Sequence, residues 1–167
     1  ATAIKVSSRG PVFFNQPRQG RYFKPFTMYK FRSMYAEASK LDASDGFTKK
    51  GDMRITAVGR LMRPLHLDEL PQLLNILLGD MSIVGPRPEA LSFAKQMRDE
   101  ISLYELRYLV RPGLTGHAQL NQGYAMNSVE DTKLKLAYDL HYLCKHSIWR
   151  DLSLILRTVF FLAKGSR

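Results

Sequence analysis

The sequence predicts an α/β (α+β) fold: a compact single domain in which several amphipathic helices surround a small, mainly antiparallel sheet. The chain has 167 residues, 45% of them hydrophobic, which is enough for one domain with a core. Short strand-like runs lie near the N-terminus, and longer segments with helical spacing follow them. The loops G-x-G-x-x-G and G-x-x-x-x-G-K-[ST] do not occur, so a Rossmann or P-loop fold is not expected. We expect residues 1–167 to form one domain, because no repeat divides them.

The N-terminal part of the chain is predicted to supply the strands. Val12–Phe14 is a short strand-like run, and a polar turn follows over Asn15–Arg21. In Tyr22–Phe31 aromatic residues alternate with polar ones, as in a strand. A basic, aromatic hairpin binds single-stranded nucleic acid in some proteins, but one this short favours core packing. Ser33–Leu41 is predicted to be a short helix, and a polar loop over Asp42–Asp52 follows it.

The middle of the chain is predicted to be helical up to one short strand. Apolar spacing indicates a helix from Ile55, which Pro64 ends. A second helix is predicted over Leu67–Leu78, closed by Gly79 in a left-handed conformation. Met81–Val84 then has the composition of a short buried strand.

The C-terminal half is predicted to contain three helices and one strand. Ala90–Leu109 has the spacing of a long amphipathic helix, and a strand is predicted over His117–Leu120 after a turn rich in glycine and proline. Ser128 is a suitable N-cap for a helix that runs to about Cys144. Ile148–Lys164 forms the last predicted helix.

That last helix has a broad apolar face flanked by cations and by Trp149. Asp151 and Arg157 argue against a membrane-spanning segment, and no run reaches the roughly 18 uncharged apolar residues that spanning requires. Two interpretations therefore remain open for this helix: it lies in a membrane interface, or it packs in the core of the domain.

The charge of the chain predicts an anionic partner. The formal net charge is +10 and the pI is about 9.9. Nucleic acid, an anionic membrane surface and a nucleotide phosphate all satisfy this requirement. Cys144 is the single cysteine, which excludes an internal disulfide and fits a reducing compartment.

Residues 65–89 carry the strongest chemical signal in the chain. Asp68 and Glu69 fall in the first turn of a predicted helix, where the helix dipole stabilises carboxylates, so simple capping is one interpretation. The prolines of Gly85–Pro88, however, hold Arg87 in a stiff, extended loop. Two carboxylates and a fixed guanidinium suit phosphate chemistry, because arginine forks onto phosphate oxygens.

Several ordered strings in this chain resemble the signature of the bacterial sugar transferases, the monotopic phosphoglycosyl transferases. They are LDELPQLLN, GDMSIVGPRP, GPVFFNQ and YKFRSM, and the resemblance extends over nearly the whole chain. It implies transfer of a sugar 1-phosphate from a UDP-sugar to undecaprenyl (polyprenyl) phosphate, with release of UMP, in the first membrane step of polysaccharide or glycoprotein glycan assembly. The implied location is the cytoplasmic face of the bacterial inner membrane. Because family members carry an upstream hydrophobic helix that this sequence lacks, it is expected to be a catalytic domain without its membrane region.

The resemblance also implies roles for individual residues. Asp68 would be the nucleophile that forms an aspartyl phospho-sugar intermediate, and Glu69 would bind Mg²⁺ or assist the acceptor. Asp68 is a further candidate Mg²⁺ ligand, and Asp139 matches an acidic position that recurs in the family and is either functional or a solvated helix charge. The residues expected to bind phosphate are Lys30, Arg32, Arg63 and Arg87.

Two other functions fit parts of the sequence. A non-catalytic basic adaptor for membranes or nucleic acid would explain the charge and the last helix, but not the acidic pair. A UDP-sugar hydrolase would use the same pair with water as acceptor. The resemblance favours the transferase and no nucleic-acid partner, and it leaves the transferred sugar and the oligomeric state open.

Overall fold

The computed structural model describes residues 1–36, 52–122 and 128–163. The helices in these ranges are α1 Thr2–Ser7, α2 Ala57–Met62, α3 Gln72–Leu77, α4 Leu91–Glu100, α5 His117–Gln122, α6 Val129–Cys144 and α7 Ile148–Ala163. The strands are β1 Phe13–Gln19, β2 Pro25–Phe31, β3 Ser82–Val84 and β4 Gly113–Thr115. Short 3-10 helices cover Arg21–Phe23, Arg63–Leu65, Leu67–Glu69 and Tyr104–Leu109. The mixed α/β prediction is confirmed, with one antiparallel and one parallel pair of strands. The loop predicted over Asp42–Asp52 and most of the helix predicted over Ser33–Leu41 lie outside the described residues.

The antiparallel hairpin is longer than predicted. Residues Asn15–Arg21 were expected to form a turn, but β1 continues to Gln19 and pairs with β2 from Phe13 opposite Phe31 to Gln19 opposite Pro25. Exposure alternates along β1, so its polar side chains face solvent while its backbone remains paired. Polar composition alone therefore gave the wrong boundary here.

The helix predicted over Leu67–Leu78 is divided into two parts. A 3-10 helix covers Leu67–Glu69, and α3 begins only after Pro71. Proline has no N–H group to bond the carbonyl of Leu67, so a continuous α-helix would lose a hydrogen bond there. The acidic pair consequently lies in a 3-10 turn rather than in the first turn of an α-helix. The left-handed closure at Gly79 (φ +85°) is confirmed.

The helix predicted over Ala90–Leu109 also breaks. Helix α4 ends at Glu100, and Leu103 adopts a left-handed conformation (φ 65°) before the 3-10 helix Tyr104–Leu109 begins. The break changes the helical phase, and it buries Tyr104 and Arg107, which a continuous amphipathic helix would not have placed together.

The strand predicted over His117–Leu120 is wrong, because these residues form α5. The strand lies earlier, in β4, which pairs in parallel with β3. Gly113 and Gly85 make this pairing close: a Cβ atom on Gly113 would overlap the backbone of Gly85. Here glycine marks a close backbone approach rather than a turn.

Two buried clusters form the core. The larger one joins α4, the 3-10 helix after it and α6, through Ala94, Met97, Ile101, Tyr104, Tyr108 and Leu136. The smaller one places α7 against β3 and α6, through Val84, Tyr142 and Leu154. The predicted N-cap of α6 is confirmed, because the Ser128 hydroxyl accepts a hydrogen bond from the Asp131 amide.

The free edge of β2 is closed by one buried amide. Asn75, on α3, accepts a hydrogen bond from the Tyr29 amide (3.0 Å) and donates one to the Thr27 carbonyl (2.8 Å). These bonds replace those that a further strand would make, and they fix α3 beside β2.

We expect Asn75→Ala to lower the free energy of unfolding by about 1–3 kcal/mol, because it leaves two backbone groups of β2 without partners. Urea denaturation monitored by circular dichroism measures this change. Asn121→Ala, at an exposed position of α5, is the matched control and should shift the midpoint little. Equal losses in the two variants would contradict the role given to Asn75.

Candidate active site

The centre of the site is the carboxylate of Glu69, which is buried and binds two cations. Lys30 Nζ and Arg87 Nη2 each lie 2.7 Å from the same oxygen, Oε1. Lys30 comes from β2, and Arg87 comes from the loop between β3 and α4. Three separate parts of the chain therefore meet at one atom.

Local backbone structure fixes the position of Arg87. Pro86 and Pro88 on either side restrict the backbone of the loop, since the proline ring limits φ. The start of the loop is tied to β4, because the Gly85 amide donates to the Thr115 carbonyl (2.9 Å) and the Gly113 amide donates to the Pro86 carbonyl (2.9 Å). The arginine is thus presented from a rigid segment, as its proline-flanked sequence predicts.

Opposing effects act on the pKa of Glu69. Burial alone would raise this pKa, but the charges of Arg87 and Lys30 and their hydrogen bonds together lower it well below its ordinary value. Burial lowers the pKa of Lys30, and the Glu69 carboxylate partly offsets that effect. Glu69 is therefore ionised at neutral pH and paired with both cations.

Asp68, the neighbouring carboxylate, is in a different state. It is half-buried, and no donor among the described residues makes a hydrogen bond to its side chain. Burial raises its pKa and the Glu69 charge adds to this effect, whereas Lys30 and Arg63 oppose it. Asp68 is thus the carboxylate of the pair that has no bonded cation, although positive charge surrounds it.

Two predicted site residues have other partners. The guanidinium of Arg32 is buried and donates to the backbone carbonyls of Ser8 (2.8 Å) and Arg9 (2.5 Å), so it anchors the segment after α1. This corrects the expectation that Arg32 faces a bound phosphate. Asp139 is also buried, on α6, and it pairs with Arg107 at 2.8 Å, so it is not the solvated helix charge that the sequence left open.

Comparison with known proteins identifies the family. The profile described as bacterial sugar transferase matches residues 1–165. The chain belongs to the bacterial sugar transferase family. Its length corresponds to only part of several relatives, as their alignments show.

Three relatives illustrate this similarity. The UDP-N-acetylgalactosamine-undecaprenyl-phosphate N-acetylgalactosaminephosphotransferase of Aeromonas hydrophila is 43% identical over 99% of this chain and 38% of its own length. The UDP-glucose:undecaprenyl-phosphate glucose-1-phosphate transferase of Klebsiella pneumoniae is 45% identical over 96% of this chain and 34% of its own length. The exopolysaccharide production protein PSS of Rhizobium leguminosarum is 39% identical over 95% of this chain and 81% of its own length. The chain thus spans little more than a third of the first two relatives.

The sugar transferase offers two carboxylates to a metal ion at this site. No group of three or more potential metal-ligating side chains occurs within residues 1–36, 52–122 and 128–163. Mg²⁺ is commonly held by one or two carboxylates, with phosphate oxygens and water as the other ligands. The partner-free carboxylate of Asp68 beside Glu69 fits such a partial site, which a bound diphosphate would complete.

Sequence reasoning missed a buried charge cluster behind the Arg87 loop of this transferase. Arg107 contacts both Asp139 and Glu89, and Lys135 also binds Glu89. The expected long helix hid this cluster, because it assigned charged residues of the segment to a solvated face. The one available signal was Glu89 itself, an acidic residue placed directly after the proline-flanked arginine.

Acid is expected to weaken the fold through Glu89. Burial would raise the pKa of this residue, but Lys135 and Arg107 lower it from its ordinary value of 4.5 to about 2. The unfolded chain therefore binds more protons in this range, so stability rises with pH from about 2 to 4.5 and is lost as pH falls through it. Urea unfolding at several pH values measures the slope. Glu89→Gln should flatten it, and an unchanged slope would contradict the assignment.

Proposed function

We propose that this chain is the catalytic domain of a phosphoglycosyl transferase. It transfers a sugar 1-phosphate from a UDP-sugar to undecaprenyl (polyprenyl) phosphate, and the products are the polyprenyl-diphosphate sugar and UMP. The observation that carries the proposal is the contrast within the acidic pair: Glu69 is neutralised by two cations, while Asp68 beside it has no bonded cation. The names of the relatives support the same substrates.

The first step uses Asp68 as the nucleophile. Its carboxylate oxygen attacks the phosphorus that bears the sugar, the anhydride bond to the other phosphorus breaks, and UMP leaves with the bonding electrons. A diphosphate repels a carboxylate, so the surrounding positive charge is needed. Lys30, Arg63 and Arg87 supply it in this chain.

Glu69 organises these cations. By accepting hydrogen bonds from Lys30 and Arg87, it holds both ammonium and guanidinium groups beside Asp68 before any substrate binds. Together with Asp68 it would also hold Mg²⁺, which neutralises diphosphate charge when bound.

The second step regenerates the enzyme. An oxygen of the lipid phosphate attacks the phosphorus of the aspartyl phospho-sugar, and the Asp68 carboxylate leaves as the aspartyl bond breaks. The acceptor thus replaces the enzyme at phosphorus, so water must be excluded for transfer to prevail over hydrolysis.

Exposed apolar side chains support a position at the membrane, on the cytoplasmic face. Leu77 on α3 is 83% exposed and Leu78 after it 68%, close in sequence to the acidic pair. Helix α7 likewise exposes Trp149 and Phe160 while burying Leu154. No helix in the described part of the chain has the length and apolar character needed to cross a bilayer. Such exposed faces suit helices that lie in the interface.

We expect the double variant Leu77→Glu/Leu78→Glu to lower partitioning onto anionic lipid vesicles by at least about tenfold, since it places two charges on a face proposed to enter lipid. Vesicle sedimentation with the 167-residue chain measures the partition coefficient. Leu134→Glu, at an exposed position of α6, is the matched control. Equal effects of the two changes would contradict the assignment of this face.

The function is tested by incubating the chain with Mg²⁺, undecaprenyl phosphate in detergent and a panel of radiolabelled UDP-sugars. Label in the lipid fraction, with stoichiometric UMP, supports the transferase. Sugar phosphate released without any lipid-linked label would instead indicate the hydrolase. Binding of nucleic acid or vesicles without turnover of any donor would indicate the basic adaptor.

A further inference from the structure

A buried arginine lies behind the loop that presents Arg87. Arg107 is 1% exposed, and its Nη2 donates to the backbone carbonyl of Arg87 at 3.1 Å. Its Nη1 lies 3.3 Å from Glu89 and 2.9 Å from the Tyr104 hydroxyl. Nε and Nη2 both point to Asp139, at 3.0 and 2.8 Å. Every nitrogen of the guanidinium is therefore bonded.

The chemistry of the loop explains why it needs this support. Pro86 and Pro88 contribute no N–H groups, so the loop has few internal hydrogen bonds of its own. Its two ends are tied elsewhere: Gly85 bonds β4, and the Glu89 carbonyl accepts from the Gln19 amide at 2.9 Å. Between these ends, the Arg107 guanidinium is the group that holds the carbonyl of Arg87 itself.

The charges behind the loop are balanced. Arg107 and Lys135 supply two positive charges, and Glu89 and Asp139 supply two negative ones. Burial alone would lower the pKa of Arg107, but Asp139, the two neighbouring tyrosines and Glu89 raise it above its ordinary value. A fixed, always charged donor is thus built in beneath the loop, held from α6 by Asp139.

We propose that Arg107 is a positioning residue for the transfer reaction, which holds the Arg87 backbone so that the Arg87 side chain meets Glu69 beside Asp68. This inference rests on the proposed function. It gives Asp139 a task as well: its carboxylate orients Arg107 and contacts neither substrate nor metal. Glu89 does the same from the loop side.

A double-mutant cycle separates this role from a purely structural one. Arg107→Lys keeps the charge but loses the fork, and it should lower kcat/KM for the UDP-sugar on the order of 10- to 100-fold, because Arg87 is displaced. In the Arg87→Ala background the same change should cost less than about twofold, since there is no side chain left to position. Equal losses in both backgrounds would overturn the proposal.

Lys135→Met is the matched control, because Lys135 bonds the same Glu89 oxygen (2.9 Å) but not the Arg87 carbonyl. It should change kcat/KM little, and a loss as large as that of Arg107→Lys would count against the proposal. If Arg107→Lys does not fold by circular dichroism, Asp139→Asn takes its place. That change leaves Arg107 present but removes the carboxylate that orients it.

A second readout needs no activity. Displacement of Arg87 would take one cation from Glu69, so the pKa of Glu69 followed by ¹³C NMR should rise toward 4.5 in Arg107→Lys and stay low in Lys135→Met. A Glu69 pKa unchanged in Arg107→Lys would overturn the positioning role. If the parent chain turned over no donor, the proposed function would fail, while this titration would still decide whether Arg107 positions Arg87.

Discussion

Asp68→Asn is expected to lower transfer of sugar phosphate by about 10³-fold or more while the domain remains folded. The carboxamide keeps the shape of the side chain but has no charged oxygen with which to attack phosphorus. Lys30, Glu69 and Arg87 remain in place, so binding of the UDP-sugar should change much less than kcat. Steady-state kinetics across the donor panel measures both quantities.

The stability of the same variant provides the control. Because burial raises the pKa of Asp68, the folded protein binds a proton more tightly than the unfolded chain, and ionisation of this group costs stability at neutral pH. Asp68→Asn removes that cost, so its thermal midpoint should be equal to or higher than that of the parent. A variant that is inactive because it is unfolded would leave this pattern unfulfilled, and normal turnover would exclude Asp68 as the nucleophile.

Arg87→Lys is expected to lower kcat/KM by about 10²-fold even though it keeps the positive charge. Lysine supplies a single point charge, whereas the guanidinium pairs with Glu69 through Nη2 and keeps other N–H groups for phosphate oxygens. Kinetics with a UDP-sugar donor, at fixed salt and saturating acceptor, measures the loss.

Arg98→Lys is the matched control for this prediction. Arg98 lies on the exposed side of α4 and pairs with Asp99 and Glu105, so its replacement should leave the kinetic constants unchanged. If Arg87→Lys were as active as Arg98→Lys, the planar fork would not be required, and the assignment of Arg87 to phosphate would be wrong.

Local signals in the sequence predicted the local features of the fold. The left-handed residue Gly79 and the N-cap Ser128 depend on a few neighbouring residues, and both are confirmed. The divided helix at Pro71 was missed because apolar spacing was given more weight than the missing N–H group. The strand expected over His117–Leu120 was misplaced because the glycines before it were taken for a turn, although they allow two backbones to approach closely.

The geometry of the site was less accessible, because it depends on contacts between distant segments. Lys30 and Glu69 are 39 residues apart, and no periodicity predicts that both cations bind one oxygen of Glu69. The ordered strings around Asp68 and Arg87 led to the correct family without this geometry. They could not distinguish Lys30, which reaches Glu69, from Arg32 two residues later, which is bonded to backbone carbonyls.

The central claim is that Asp68 carries the phospho-sugar between donor and lipid. The most direct measurement incubates the chain with Mg²⁺ and each UDP-sugar without acceptor, followed by intact-mass spectrometry and peptide mapping. The account predicts one added phospho-sugar, located on the peptide that contains Asp68 and absent from Asp68→Asn. Full turnover to lipid-linked product, with no adduct formed by any donor that is consumed, would contradict it.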